Sequence, residues 1–521
     1  MKSIFKYTFA GVMAVGMLAS CSSDKLETQP TQYVSSEGLM ATGVAAQTAL
    51  NGIYREMFTS GWSTTGNTHQ CFGVAAYNLM ADIMGEDHVM GASGSGWFWY
   101  DAIYNVKGRY TSSAWRSYDL WFAFYNWIAN ANYIIAAEET MSGATEDKNY
   151  AIGQAYTIRA YSYFMLSQLF ARTYVGHESE PCVPIYTEGT TTKTEGKPRA
   201  TVAEVYKQID ADLAKAIELL NGTSQKEVSH MGYAVALAIQ ARVAMVKNDW
   251  ATASSAATQA IAASGCKILP AGDIIGMNDA TKADVMWGVS IINDQVGMYA
   301  SLFSHMDYEA GKYGARAPKL INAELYDKMS ATDARRSWWI DPATVADETA
   351  ATPVPYLQEK FKFSNVSTWM GDYIFMRVEE MYLTAAEAEC RMGNEAAAKQ
   401  YLMDLMSQRD PNYTTDKTGT ALGKTSSLAD ETGSLLEEIL IQRRIELWGE
   451  FGRIYDLKRL KQGFRRTSAM GWPGSAQLVK RPTEDPEAYM NVLTIPQAEF
   501  DGNAALDADK DQNPVADYPE N

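Results

Sequence analysis

Apolar residues recur along this chain mainly at helical spacing. Ile152, Tyr156, Arg159, Tyr163, Leu166 and Phe170 follow a 4-3-4-3-4 rhythm, and Ile374, Val378, Met381, Ala385, Ala388 and Met392 repeat it. Positions three and four apart share a helix face, so each segment is expected to be a helix with one buried stripe. The same reasoning places helices near 38–59, 118–138, 201–220, 230–247, 250–264, 395–409 and 434–449, most of them in antiparallel pairs joined by a short turn. Alanine is concentrated in these pairs, at Ala234, Ala236, Ala238, Ala241 and Ala244 and again at Ala385, Ala386 and Ala388. Small side chains let helices approach closely, and stacked pairs then bury a continuous core. The turns Asn248-Asp249-Trp250 and Gly393-Asn394, each followed by a run of alanines, resemble the openings of tetratricopeptide-type pairs. The expected fold class is therefore mainly α, a scaffold of tetratricopeptide-like helix pairs, with an irregular helical bundle as the alternative.

Between the helical blocks lie long stretches without periodicity, at 60–117, 172–200, 268–371 and 464–521. Only short strands are expected there, such as Val285 to Ile292. Loops of this length in a compact protein are usually functional.

The N-terminus changes the picture from fold to compartment. Lys2 and Lys6 precede an apolar run from Tyr7 to Leu18, then Ala19-Ser20-Cys21, the order of a secretory signal peptide. That run falls short of the roughly 20 apolar residues a spanning helix needs. Small residues directly before a cysteine resemble a bacterial lipobox, so residues 1–20 are expected to be removed and Cys21 to be lipidated. Several acyl chains on one residue hold a protein to a membrane while its body stays in water. Residues 21–36 read as lipidated Cys21 and a flexible polar tether, reaching at most about 50 Å. The remainder, 37–521, is expected to be a single domain with an N-terminal part at 37–340 and a C-terminal part at 341–521, because no Pro/Gly/Ser-rich or charged linker interrupts it.

The formal charge of −17 becomes −19 once Lys2 and Lys6 are removed. So acidic a body argues against nucleic acid and against broad contact with anionic lipid, leaving the lipid anchor as the membrane attachment. Beyond Cys21 the cysteines are Cys71, Cys182, Cys266 and Cys390, with no CxxC and no metal-ligand spacing. His69, His88, His177, His230 and His305 are scattered, so no metal site or cofactor is expected, and no P-loop, dinucleotide or GxSxG motif occurs. Asp507 to Asn513 resembles the first half of a calcium loop but lacks the glycine at its sixth position, which favours a polar tail.

The most suggestive chemistry is aromatic. Trp97, Phe98, Trp99 and Tyr100 follow a glycine-serine run in a loop-rich region that also holds Trp62. Aromatic rings stack on the C–H faces of sugars, and neighbouring polar groups then hydrogen-bond the hydroxyls. Trp62, Trp97, Trp99 and Tyr100 are thus candidate ligand-binding residues, with Tyr299, Tyr308 and Trp369 in the second long insert. Core packing is the competing role for each. Asp82, Glu86, Asp87 and His88 could bind hydroxyls, although a solvated acidic turn or helix cap is the expected reading. Glu379, Glu380, Glu387 and Glu389 are candidate carboxylate catalysts. Glu380 and Glu387 share a face about 10 Å apart along the helix. Glycosidase chemistry would need a cleft along that face, so structural hydrogen bonding is expected and no catalytic residue is assigned.

Several of these segments together resemble a known family. They are Ala151 to Phe170, Ala234 to Val246, Tyr373 to Gly393 with its Arg377-Val-Glu-Glu-Met-Tyr382-Leu383 run, Ile439 to Leu460, and the closing Ile495-Pro496 and Gln512-Asn513-Pro514. With the lipobox, they are similar to SusD/RagB-type outer-membrane nutrient-binding lipoproteins of the Bacteroidetes. The resemblance implies a helical scaffold at the outer membrane, facing the cell exterior. It also implies non-enzymatic capture of oligosaccharide or polysaccharide, and delivery to a partner TonB-dependent transporter of the SusC type. Asp24 and Glu27 are similar to the acidic surface-export signals of that phylum, from which Ser22 and Lys25 depart. A peptide-binding member of the same family is the first alternative. An envelope glycosidase and a purely structural adaptor follow.

Overall fold

The computed structural model describes residues 38, 40–60, 67–92, 97–105, 111–191, 193–345 and 354–515. Its chain order begins with helix α1 (Gly43–Glu56), α2 (Val74–Ile83), strand β1 (His88–Met90), the single turn α3 (Trp99–Ala102), α4 (Trp115–Ala136), α5 (Thr145–Phe170), α6 (Val202–Leu220), α7 (Tyr233–Lys247) and α8 (Trp250–Ser264). It continues through β2 (Val285–Val289), the short α9 (Leu302–Met306) and α10 (Tyr313–Arg316), β3 (Lys319–Ile321), β4 (Tyr373–Arg377), α11 (Val378–Arg391), α12 (Glu395–Met406), α13 (Leu435–Glu446) and α14 (Arg453–Leu460). The protein is mainly helical with a few short strands, as the spacing predicts.

Helices α4, α5, α6, α7, α8, α11 and α12 pack each on the next. This succession is consistent with stacked tetratricopeptide-like pairs. Local chemistry sets the boundaries. Thr201 and Glu204 form a reciprocal capping box at the start of α6. Asn248 takes a left-handed φ of 57° to close α7, and the Asp249 side chain then accepts from the Thr252 N–H at 3.1 Å to open α8.

Three expectations are corrected. Helices α5 and α11 bury nearly every face of their central turns, with Tyr156 and Tyr382 the exceptions in those turns, because each lies between other helices. The periodic segment starting at Ile374 is a strand before it is a helix: β4 pairs antiparallel with β2, Val289 opposite Tyr373 and Val285 opposite Arg377. An apolar run of four residues, Tyr373 to Met376, fits either period, and the partner strand decides it. Finally, the aperiodic stretch at 60–117 contains α2, whose ten residues are all buried and so show no polar face to read.

The acidic group after α2 is also different from its expected form. Asp82, Glu86, Asp87 and His88 are buried rather than solvated. Arg444 grips Asp87 with two bonds of 2.7 and 2.8 Å, Arg453 reaches Glu86 at 3.0 Å, and Asp82 accepts from the Gly449 and Arg453 N–H groups and from His88 Nδ1. Burial pushes the Asp87 carboxyl up, but Arg444 and Arg453 outweigh it and hold the group below its ordinary value. The His88 ring stacks on Trp448 at 4.1 Å. These contacts clamp the α2–β1 corner to α13 and α14, which lie more than 350 residues further along the chain.

Candidate functional site

Aromatic side chains from three separate segments meet on the loop side of this scaffold. The first wall carries His69, in the turn Thr68–Gln70, and Trp97. Its geometry is set by Arg116, which donates to Asp101 at 2.9 and 3.1 Å and to the Gln70 carbonyl at 2.8 Å, and by Gln70, whose side chain accepts from the Phe98 N–H at 2.6 Å. The second wall carries Tyr299 and, at the start of α10, Tyr313. Ser301 caps α9 through the Ser304 N–H, and α9 in turn carries His305, whose Nε2 donates to the His69 carbonyl at 2.7 Å. The third is a tight turn closed by Ser364 and Met370, with Trp369 at φ 59°.

The rings lie within contact of one another. Trp97 is edge-on to His69 at 5.4 Å and to Tyr313 at 5.3 Å; Tyr299 stacks on His69 at 5.6 Å and lies 5.5 Å from Tyr313. The Tyr313 hydroxyl and His69 Nδ1 are 2.6 Å apart. Lys312 joins Trp369 to this group, its ammonium 4.1 Å from the Trp369 ring and 5.5 Å from the Tyr299 ring. Beneath them His305 stacks on Phe72 and Tyr313, and burial presses its imidazole down to about 3, with Lys319 adding to the effect. Partly exposed rings over a buried aromatic floor make a surface for apolar contact with a flat ligand.

Of the residues singled out from sequence, Trp97, Tyr299 and Trp369 are brought together, and Tyr299 is 41% exposed. Tyr100 is 54% exposed on the next turn of chain. Trp99 has only 7% of its surface accessible and belongs to the main core, which corrects its expected role: a ring packed on both faces cannot stack a ligand. Tyr308 is bound to Glu359 at 2.8 Å, inside an ion cluster with Lys362 and Glu309. Trp62 and Cys21 lie outside the described residues. Reading by sequence missed His69, Tyr313 and Lys312. The only signal for the last two is an adjacent Lys-Tyr after Gly311, and His69 is a lone histidine with no pattern around it.

Three of the four helix carboxylates, Glu379, Glu380 and Glu387, are core groups, and Glu389 is partly exposed. Glu380 pairs with Arg242 at 2.6 and 2.8 Å, Glu387 with Arg459 at 2.7 and 2.8 Å, and Glu379 lies 3.2 Å from both Arg377 and Arg409. Glu389 accepts from Ser254 and Asn394. The calcium-like run folds on itself: Asp507 caps a short helix and binds Lys510 at 2.6 Å, and Asn513 donates to the Phe170 and Leu493 carbonyls. Among the described residues no cluster of His, Cys, Asp and Glu has metal-site geometry, and no helix is long and apolar enough to cross a membrane. A wide cleft of about 890 Å³ lies between α1 and α4, lined by Ile53, Glu56, Asn130 and Tyr133 among others; none of the described aromatics predicted to hold ligand faces it.

A helical scaffold that presents loop-borne aromatics defines a class, and comparison with known proteins supplies the family. A model described as starch-binding, associating with the outer membrane, matches residues 70–245, and the SusD family model matches 293–515. The chain belongs to the SusD/RagB family. It is 24% identical over 496 residues to the SusD-like protein P2 of Formosa agariphila, covering 88% of this chain and 91% of the relative. Its fold is similar to that of a SusD-like carbohydrate binding protein from Bacteroides vulgatus, with a TM-score of 0.76 at 24% identity, covering 92% of this chain and all of the other. It is also similar to surface glycan-binding protein A from Bacteroides thetaiotaomicron, solved in complex with laminarihexaose, with a TM-score of 0.64 at 18% identity over 91% and 99% of the two chains.

Proposed function

We propose that this protein captures oligosaccharide or polysaccharide at the cell surface without cleaving it and passes it to a TonB-dependent outer-membrane transporter of the SusC type. The observation that carries the reading is the meeting of Trp97, His69, Tyr299, Tyr313 and Trp369 from three distant loops. Rings placed side by side favour an extended chain, since several weak stacking contacts add along one ligand. Tyr100, and Trp62 beyond the described residues, would extend the platform. Two relatives in fold are named for carbohydrate or glycan binding, which agrees with this chemistry.

In the same reading Cys21 is the lipidated residue that holds the body to the outer membrane, facing outward, with 21–36 as tether. The body from 37 to 521 works as one unit, its two parts at 37–340 and 341–521 joined by clamps such as Asp87 to Arg444. The test is calorimetry of the purified protein against a glycan panel, with a peptide mixture as comparison. Bound glycan should be recovered uncut. Trp97→Ala and Tyr299→Ala should each weaken binding about tenfold, the worth of one aromatic contact. Unchanged affinity in both variants would remove the site, and released product would remove the non-enzymatic reading.

A further inference from the structure

We infer that the glycan received by this cluster carries an anionic group, a uronate carboxylate or a sulfate ester, and that Lys312 reads it. The inference rests on the capture reading above. Lys312 is held against Trp369 and Tyr299, yet among the described residues its ammonium forms no ion pair and its N–H groups find no acceptor. Cation–π contact accounts for the position of the charge and leaves all three donors uncommitted.

The acidic residues between Tyr299 and Tyr313, Asp307 and Glu309, are engaged elsewhere. The Asp307 carboxylate accepts from the backbone N–H groups of Glu309, Ala310 and Phe363 at 3.0 to 3.2 Å. Glu309 and Glu359 both hold Lys362. The sequence flanking His69 and Trp97 outside the described residues, 61–66 and 93–96, contains no Asp or Glu that could neutralise Lys312. One helical turn on from Lys312, Arg316 is exposed and likewise forms no ion pair among the described residues. Two uncommitted cations thus flank Tyr313 on a chain whose formal charge is −17.

Sugar chemistry matches this arrangement. When a pyranose lies against a ring face, its equatorial substituents project from the edge of the sugar, and a carboxylate or sulfate there meets a cation held beside the ring. A charge-assisted bond of that kind is about twice as strong as a neutral one. Because the whole protein is acidic, bulk attraction cannot account for a preference for polyanions; it must arise locally.

Calorimetry with size-defined oligogalacturonate and chondroitin sulfate, each against its carboxyl-reduced or desulfated counterpart, tests the inference and separates the two anionic groups. The wild-type protein should bind at least one anionic oligomer about tenfold more tightly than its neutral counterpart. That preference should vanish in Lys312→Met and persist in Lys312→Arg, with unfolding temperatures unchanged in both. Equal affinity for the neutral counterpart, or a preference that survives Lys312→Met, overturns it. If neutral glycans still bind and Trp97→Ala still weakens them, the capture site stands without the charge preference. A protein that binds no member of either series loses the charge preference, and the glycan panel then decides the capture reading by itself.

Discussion

At Phe98 the backbone takes a left-handed turn, φ 69°, between two tryptophans. That turn directs Trp97 to the aromatic cluster and Trp99 to the core, so two neighbouring indoles acquire opposite duties. Trp97→Ala is expected to lose ligand affinity at unchanged stability. Trp99→Ala should cost about 3–5 kcal/mol of stability and keep the affinity of the folded fraction; urea unfolding and calorimetry on both variants check the split. A second residue-scale outcome concerns Lys319, fully buried in β3, whose ammonium among the described residues donates only to the Ala317 carbonyl, at 2.6 Å. Burial presses its amine from 10.5 down to about 7. Between those two pH values the unfolded chain holds a proton that the folded chain does not, so stability rises with pH across that window, and below it the penalty is complete. Lys319→Met should therefore melt higher than wild type at pH 6, and the gap should close toward pH 10. A gap that stays constant with pH would show that charge burial is not the cause. Residues of this kind are hard to read from sequence: nothing local distinguishes buried Lys319 from partly exposed Lys312.

Helices α13 and α14 act as the protein's clamp. Arg444 holds Asp87, Arg453 holds Glu86, and Arg459 holds Glu387, all away from water. Removing one partner strands a buried charge, and Arg444→Met should cost about 3–5 kcal/mol in urea unfolding. Adding Asp87→Asn to that variant should recover part of the loss, and failure to recover any would argue against a paired charge. Asp87 and Glu387 are held below their ordinary values by these arginines, despite burial pushing the other way. The stability they add is present above the ordinary carboxylate range and is lost as pH falls through the folded values. At this scale the long helix pairs were legible to within a few residues, because spacing and turn residues are local. Helix α2 was not, since burial on all sides erases periodicity, and β4 was not, since only pairing with β2 separates it from the helix it precedes.

For the whole molecule the outcome to test is attachment. Cys21→Ser should move the protein from the membrane to the soluble fraction and abolish palmitate labelling, while the purified variant binds glycan as before; a variant still in the membrane fraction would refute the anchor. The sequence by itself determined the helical fold class, the positions of the paired helices and the family, because spacing along a few turns and motifs of adjacent residues encode them. The tertiary structure alone decided which aromatics share a surface. The Tyr313 hydroxyl meets the His69 ring across 244 positions of chain, and no local pattern records a contact that packing creates. It likewise decided that Asp82, Glu86 and Asp87 serve the core. An acidic run looks solvated until the arginines that neutralise it, more than 350 residues later, are folded against it.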